Sequence, residues 1–272
     1  MHLAPWKSAM PALRMALCAL ALPSAVWAGD CVKTVRWYDD APYAFKGVDG
    51  EVQGFSSDLI REALVRMGCT TRFVEMPWAR ALVELEAGRL DILPGALKTP
   101  ERERFAYFSR PINRSPNVLF VSKAAAEKYR LKNLTDMVGT DFRLGAQIGV
   151  AYGPEYVALQ SNPAFVERLV PITQRRSAWK MVEAGRLDGM IADEVTGLVE
   201  LQQLGISQSV VKTKVIVSSE SAMVALSRQS LTRGFVDALD RSLNGMLADG
   251  RYKQLWEHYM PCPAAAEGLG CR

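Results

Sequence analysis

Thr99-Pro100-Glu101-Arg102 has the composition of a helix start: Thr99 fits the N-cap, Pro100 the first helical position and Arg102 the first turn. Free backbone N–H groups at such a start attract an anion, and an arginine beside them can hold a carboxylate through two hydrogen bonds. Asp193-Glu194 stands at the corresponding place in the second half of the chain, where a carboxylate suits an ammonium or a hydroxyl group. Trp78-Ala79-Arg80 opens another helix, which places Trp78 to stack on a planar or apolar group and Arg80 to add a second cationic contact. Each set also has a plainer reading, with Arg102 and Arg104 as solvated surface charges and Trp78 as core packing with Arg80 outside it. Tyr152, in "GVAYGPEY", enters on a glycine-rich turn that lacks the lysine and spacing of a phosphate-binding loop.

Nucleophilic catalysis finds little support. His258 lies in the final helix, away from all of these turns, so no Ser–His or Cys–His pair is evident. Asp40, Asp193 and Glu194 are the groups left for acid–base work. Cys31, Cys69, Cys262 and Cys271 are spaced by 38, 193 and 9, which matches no zinc pattern and suits two disulfides in an oxidising compartment. No metal and no cofactor is expected.

Two runs of one scheme position these residues. "CVKTVRWY" alternates as a strand, and "APYAFKGVDGEVQGF", directly after Asp40, is a turn-rich loop with Pro42, Tyr43, Gly47, Gly50 and Gly54. In "SSDLIREALVRMG", Leu59, Ile60, Ala63, Leu64 and Met67 share a helical face, Ser56 or Ser57 fits the cap and Gly68 ends the helix. "CTTRFVEM", "PWARALVELEAG" and "RLDILPG" continue as strand, helix and strand. The second half repeats the order with "FRLGAQIG", "GPEYVALQ", "AFVERLVPI", "RRSAWKMVEAG" and "RLDGMIAD". The hexamer "EAGRLD" occurs at 86–91 and again at 183–188, each time closing a helix and opening the third strand of its unit. Alternating strands and helices predict parallel sheets flanked by helices, with ligands at the carboxyl ends of the strands. If the strands opened by Cys31 and Cys69 are parallel neighbours, those two cysteines start side by side and pair. Cys262 and Cys271 would then close a local loop. "VIVSSESAMVALS" reads as one or two strands. The closing region is helical, with a stripe of Phe235, Leu239, Leu243 and Met246 that Gly250 breaks before Tyr252, Leu255 and Trp256.

The chain has 272 residues, 49% apolar and 23% charged, the profile of an ordinary globular protein with room for one large or two medium domains. Lys7 and Arg14 precede the apolar run "MALCALALPSAVWA", and Val26-Trp27-Ala28 gives a secretory cleavage pattern after Ala28. The run is too short to span a bilayer, which needs about 20 residues. Its removal lowers the formal charge from +4 to +2, too weak a balance to argue for nucleic acid.

The chain resembles the bacterial extracellular solute-binding proteins of ABC importers, in the branch of polar amino-acid binders. The resemblance rests on Pro42-Tyr43-Ala44-Phe45, Gly54-Phe55 with Asp58, "AGRLDILPGALKTPERERFAYFSRP", Gly145-Ala146-Gln147-Ile148-Gly149, "AGRLDGMIADE" and "ADGRYKQLWEHY", in that order across nearly all of the mature chain. It implies two α/β lobes with parallel or mixed sheets, a ligand cleft between them and the second lobe inserted in the first. The expected divisions are a signal peptide at 1–28, lobe one at 29–120, lobe two at 121–217, the return and closing helices at 218–262, and a tail at 263–272. By position, Arg102 matches the arginine that binds an amino acid's α-carboxylate, Asp193 matches the acid that binds its α-ammonium, and Tyr43 falls in the aromatic loop that packs on the ligand. Leu97 and Val150 stand where hydroxyl residues are usual, and Ser56 where an acid is usual. Each lost hydroxyl donor weakens binding by about 1 kcal/mol or more. The expected ligand set is Asp40, Tyr43, Trp78, Arg80, Thr99 and Arg102 from lobe one, with Val150, Tyr152 and Asp193 from lobe two. The implied protein is a periplasmic monomer that passes an amino acid, or a related small polar solute, to an importer permease. A freestanding sensor for a membrane receptor and a dehydratase-like enzyme on the same fold are the alternatives.

Overall fold

The computed structural model describes residues 1–2 and 31–261; the expected cleavage after Ala28 and the expected pairing of Cys262 with Cys271 lie outside the described residues. The chain opens with β1 (Cys31–Trp37), a two-stranded ribbon of β2 (Phe45–Lys46) and β3 (Val52–Gln53), α1 (Phe55–Arg66), β4 (Cys69–Glu75), α2 (Trp78–Glu86), β5 (Ile92–Ala96), α3 (Pro100–Glu103) and β6 (Ala106–Arg114). It continues through β7 (Asn117–Ser122), α4 (Lys123–Lys128), a 3₁₀ turn (Leu134–Met137), β8 (Leu144–Gln147), α5 (Gly153–Leu159), α6 (Pro163–Val166), β9 (Leu169–Ile172), α7 (Arg175–Glu183), β10 (Gly189–Asp193), α8 (Glu194–Leu204) and β11 (Val210–Ser218). β12 (Ser221–Ser227), α9 (Arg233–Ala248) and α10 (Arg251–Tyr259) complete it.

These strands form two five-stranded sheets, in the orders β4-β1-β5-β12-β6 and β11-β7-β10-β8-β9. Read from the other end, the second order repeats the first: three parallel strands with the first of them in the middle, then two antiparallel strands. The chain leaves the first sheet after β6 and returns to it at β12, so the second sheet is an insertion between them. β7 pairs with β10 and β11 along its whole length, which places 117–120 in the second sheet rather than in lobe one as the sequence reading had it. Cys31 and Cys69 are register partners on the parallel strands β1 and β4, and they form a disulfide.

The repeated hexamer has the same physical task in each lobe. Gly88 (φ 73°) and Gly185 (φ 66°) end α2 and α7 in the left-handed conformation that glycine adopts without strain. Leu90 and Leu187 are fully buried. Asp91 Oδ2 accepts hydrogen bonds from Thr34 N at 2.8 Å and Thr34 Oγ1 at 2.9 Å, and Asp188 Oδ2 accepts from Arg143 N at 2.8 Å and Arg143 Nε at 2.9 Å. Each aspartate thereby fastens the start of its strand to the neighbouring one.

Lobe one packs α1 against α9 and α10 through Leu59, Ile60, Leu64, Leu239, Leu243, Met246 and Trp256. Phe55 meets Tyr252 and Trp256 edge to face, with ring centroids 5.3 and 5.0 Å apart. The closing helices therefore cover lobe one. α1 does not start on Ser56 or Ser57: Gly54 is its N-cap, at φ 119°, and both serines lie buried inside the first turn. A Cβ on Gly54 would stand 2.6 Å from the Tyr43 carbonyl oxygen, so the close approach requires glycine here.

Candidate functional site

The carboxyl ends of both parallel sets of strands face a cavity of about 160 Å³ between the lobes. Lobe one brings its first strand-end loop with Asp40 and Tyr43, the head of α2 with Trp78, and the β5–α3 turn with Leu97 and Arg102. Lobe two brings Gln147 at the end of β8, Val150 and Tyr152 just after it, Arg175 at the head of α7, and Asp193 at the end of β10. The N–H groups of Phe55, Ser56 and Ser57 have no partner within their own helix, and they donate to the carbonyls of Pro42 (3.0 Å) and Tyr43 (2.9 and 3.3 Å). This pins the Tyr43 loop to the head of α1.

Arg102 is buried and faces no carboxylate. Its Nη1 donates to Leu97 O at 2.6 Å and its Nη2 to Gly149 O, in the other lobe, at 2.8 Å. Burial lowers its pKa to about 10, so it remains a cation throughout the physiological range. Trp78 Nε1 donates to the same Gly149 carbonyl at 3.0 Å, and the Arg102 guanidinium lies 5.7 Å from the Trp78 ring centroid. Asp193 caps α8 by accepting from Thr196 N at 2.9 Å. Burial pushes its carboxyl above the usual range, and among the described residues it forms no ion pair.

The other buried charges satisfy one another. Asp40 accepts from Arg36 Nη1 at 2.6 Å and from Arg175 Nη2 at 2.5 Å, and Arg175 also reaches Glu200 at 2.9 Å and Gln147 Oε1 at 3.3 Å. Trp179 Nε1 donates to Glu200 Oε2 at 2.6 Å. Two cations and two anions balance here. Burial alone would raise the Asp40 carboxyl, but Arg36 and Arg175 together hold it well below the usual carboxylate range. After this cancellation the cavity wall retains one unneutralised cation, Arg102, and, besides the exposed Glu220, one unneutralised anion, the half-buried Asp193.

The expected site residues divide accordingly. Asp40, Tyr43, Trp78, Arg102, Val150, Tyr152 and Asp193 line the cavity, but Arg80 and Thr99 do not. Arg80 lies two residues after Trp78, which turns it to the far side of α2; it is exposed there and pairs with Glu84 at 3.7 Å. Thr99 caps α3, its Oγ1 accepting from Arg102 N at 3.3 Å, and so orients Arg102 from behind. Asp40 is spent on two arginines. The Tyr152 hydroxyl accepts from Gln147 N at 2.9 Å and braces its own loop, while the Val150 amide closes a turn onto Gln147 O at 3.3 Å. Sequence reasoning missed Arg36, Arg175, Asn113, Ser115 and Glu200. One of them left a signal: Arg175-Arg176 puts two cations at a helix start, where the macrodipole disfavours them, and Asp39-Asp40 supplies the matching anions.

The family model for bacterial extracellular solute-binding proteins, family 3, matches residues 34–261. The histidine-binding periplasmic protein of Salmonella typhimurium is 25% identical over 232 residues, covering 80% of this chain and 83% of that protein. An ABC uptake transporter substrate-binding protein from Streptococcus pneumoniae, solved with bound histidine, superposes with a TM-score of 0.73 at 21% identity, over 86% of this chain and 94% of the other. A histidine kinase sensor domain similar to periplasmic binding proteins gives 0.73 at 18% identity, over 85% and 96%.

Proposed function

This chain belongs to the bacterial extracellular solute-binding proteins, family 3, and from that premise we propose that it captures a small zwitterion, an amino acid or a close relative, in the periplasm and delivers it to an ABC importer. The observation carrying this reading is the residue of the charge balance: one buried guanidinium and one half-buried carboxylate, on opposite lobes of one cavity, without an ion-pair partner among the described residues. A ligand bearing both charges pairs with both lobes, so it binds the closed arrangement more tightly than the open one. Relatives that bind histidine, one of them an ABC uptake component, support the class of solute and the destination.

The test is isothermal titration of the chain with the standard L-amino acids, each alongside its amine lacking the carboxylate and its acid lacking the ammonium. At least one amino acid should bind, with both halves about 100-fold weaker or worse, and Arg102→Met should weaken it about 100-fold. Equal affinity for a half-molecule would refute the zwitterion reading. Mass spectrometry of the incubated mixture should return the ligand unaltered, and deletion of the gene should abolish its uptake. Chemical turnover would favour an enzyme, and intact uptake a sensor.

A further inference from the structure

Two hydroxyl groups in the cavity wall lie close to polar neighbours yet make no hydrogen bond of regular geometry. The Tyr43 and Ser115 oxygens are buried from solvent, and no neighbour meets either at hydrogen-bonding distance and angle together. Both residues line the cavity beside Asn113 and Asp193, and Ser115 neighbours both the Tyr43 hydroxyl and the Asp193 carboxyl. A buried hydroxyl without a partner is unfavourable, and native structures retain such a group where something outside the chain completes it.

The two residues reach this place from different elements. Tyr43 comes from the loop pinned to the head of α1, and Ser115 from the first crossing between the lobes, directly after β6. Asp193 comes from lobe two, at the end of β10. Three oxygen acceptors from three segments thus line the anionic end of the cavity. A primary ammonium carries three N–H donors, and the carboxylate supplies the charge.

We propose that the Tyr43 and Ser115 hydroxyls join Asp193 as a three-acceptor receptor for a primary ammonium, and that they set the protein's selection of primary amines over N-substituted ones. This rests on the zwitterion reading above and deepens it. An N-methyl ligand gives up one donor and leaves one hydroxyl unpaired again. A 2-hydroxy acid loses the charge that Asp193 requires.

The experiment compares the full chain with Tyr43→Phe and Ser115→Ala, by calorimetric titration with the tightest-binding L-amino acid from the twenty and with its Nα-methyl derivative. Thermal melts without added ligand accompany each variant. Both substitutions should weaken the amino acid about tenfold and narrow its advantage over the Nα-methyl form. Both should also leave the melting temperature of the unliganded protein unchanged or higher, because each removes a buried hydroxyl that had no partner. That opposition of sign separates a ligand contact from a structural role, for which affinity and melting temperature fall together. Wild-type affinity and selectivity in both variants overturns this proposal and leaves the zwitterion reading in place. Failure of every amino acid to bind the wild-type chain overturns both.

Discussion

Asp40→Asn should loosen the closed arrangement of the lobes, and its size follows from which partners change when the cleft opens. Arg36 and Asp40 lie in the same lobe and stay together in either arrangement, as do Arg175 and Glu200. Only the Arg175–Asp40 pair, at 2.5 Å, spans the cleft in a buried setting. The substitution turns a charge-assisted hydrogen bond of about 1.5–3 kcal/mol into a neutral one of about 0.5–1.5 kcal/mol. The closed form is therefore disfavoured by about 1–2 kcal/mol, a drop of roughly 5- to 30-fold in its ratio to the open form. Apparent affinity falls in proportion to the fraction that is competent to bind, so the dissociation constant rises by a similar factor wherever the open form predominates. Titration calorimetry measures the affinity, and energy transfer between one dye on each lobe measures closure. Asp39→Asn is the control. Its interlobe partner Arg176, at 2.9 Å, is 40% exposed and Asp39 is 49% exposed, so that pair contributes little and the change should stay below about twofold. Equal closure and affinity in Asp40→Asn and wild type, or a larger effect from Asp39→Asn, would refute the reasoning.

Asp193→Asn keeps a good N-cap for α8 but removes a buried charge. The Asp193 pKa is raised in the folded protein, so its contribution to stability is fully present below the ordinary carboxylate range and is lost as pH rises through the folded value. The variant should therefore melt higher than wild type at pH 7, with the gap closing toward pH 4, while its affinity for an ammonium ligand falls at least tenfold; a lower melting temperature at pH 7 would contradict the assignment. Reduction of Cys31–Cys69, or Cys31→Ala with Cys69→Ala, opens a link across 38 residues and should lower unfolding free energy by about 4 kcal/mol, measured by urea denaturation. Gly149→Ala places a Cβ 3.2 Å from Leu82 Cδ1 and 3.4 Å from Trp78 Cδ1 of the opposite lobe, at φ 79°. The left-handed backbone costs the fold about 1–2 kcal/mol in either arrangement, whereas the tight interlobe contact exists only in the closed one, so the variant should melt lower and the dye-labelled protein should show less closure and weaker binding.

The sequence made the two lobes legible because the helix faces, the glycine stops and the repeated hexamer all recur at matching places in both halves. Arg102 and Asp193 were legible for the same reason, since each follows the third strand of its unit and lies at the strand ends where ligands collect. Arg175 was hidden. Its partners Asp40 and Glu200 are 135 and 25 residues away, and nothing along the chain shows that a helix in one lobe faces a loop in the other. Asp40 lines the cavity, but its pairing with Arg36 and Arg175 was hidden for the same reason. Ser115 was hidden because its role comes from a crossing between strands that periodicity did not resolve. Gly54 replaced the expected serine cap because Tyr43 approaches α1 too closely for any side chain.

The paired clasps formed by Asp91 and Asp188 bear on how such a protein changes over evolutionary time. Each clasp sits at the start of its third strand, and the loops of the cavity wall lie at the opposite end of the sheet. A substitution that alters what the loops recognise leaves the fastening of the strands untouched, and one that weakens the fastening leaves recognition chemistry in place. Selection can thus exchange one solute for another by small steps in the loops, each tolerated by a frame whose foldability is secured elsewhere. Within the twice-written hexamer the buried leucine and the aspartate carry that frame, and the loops beyond the buried third strands carry recognition.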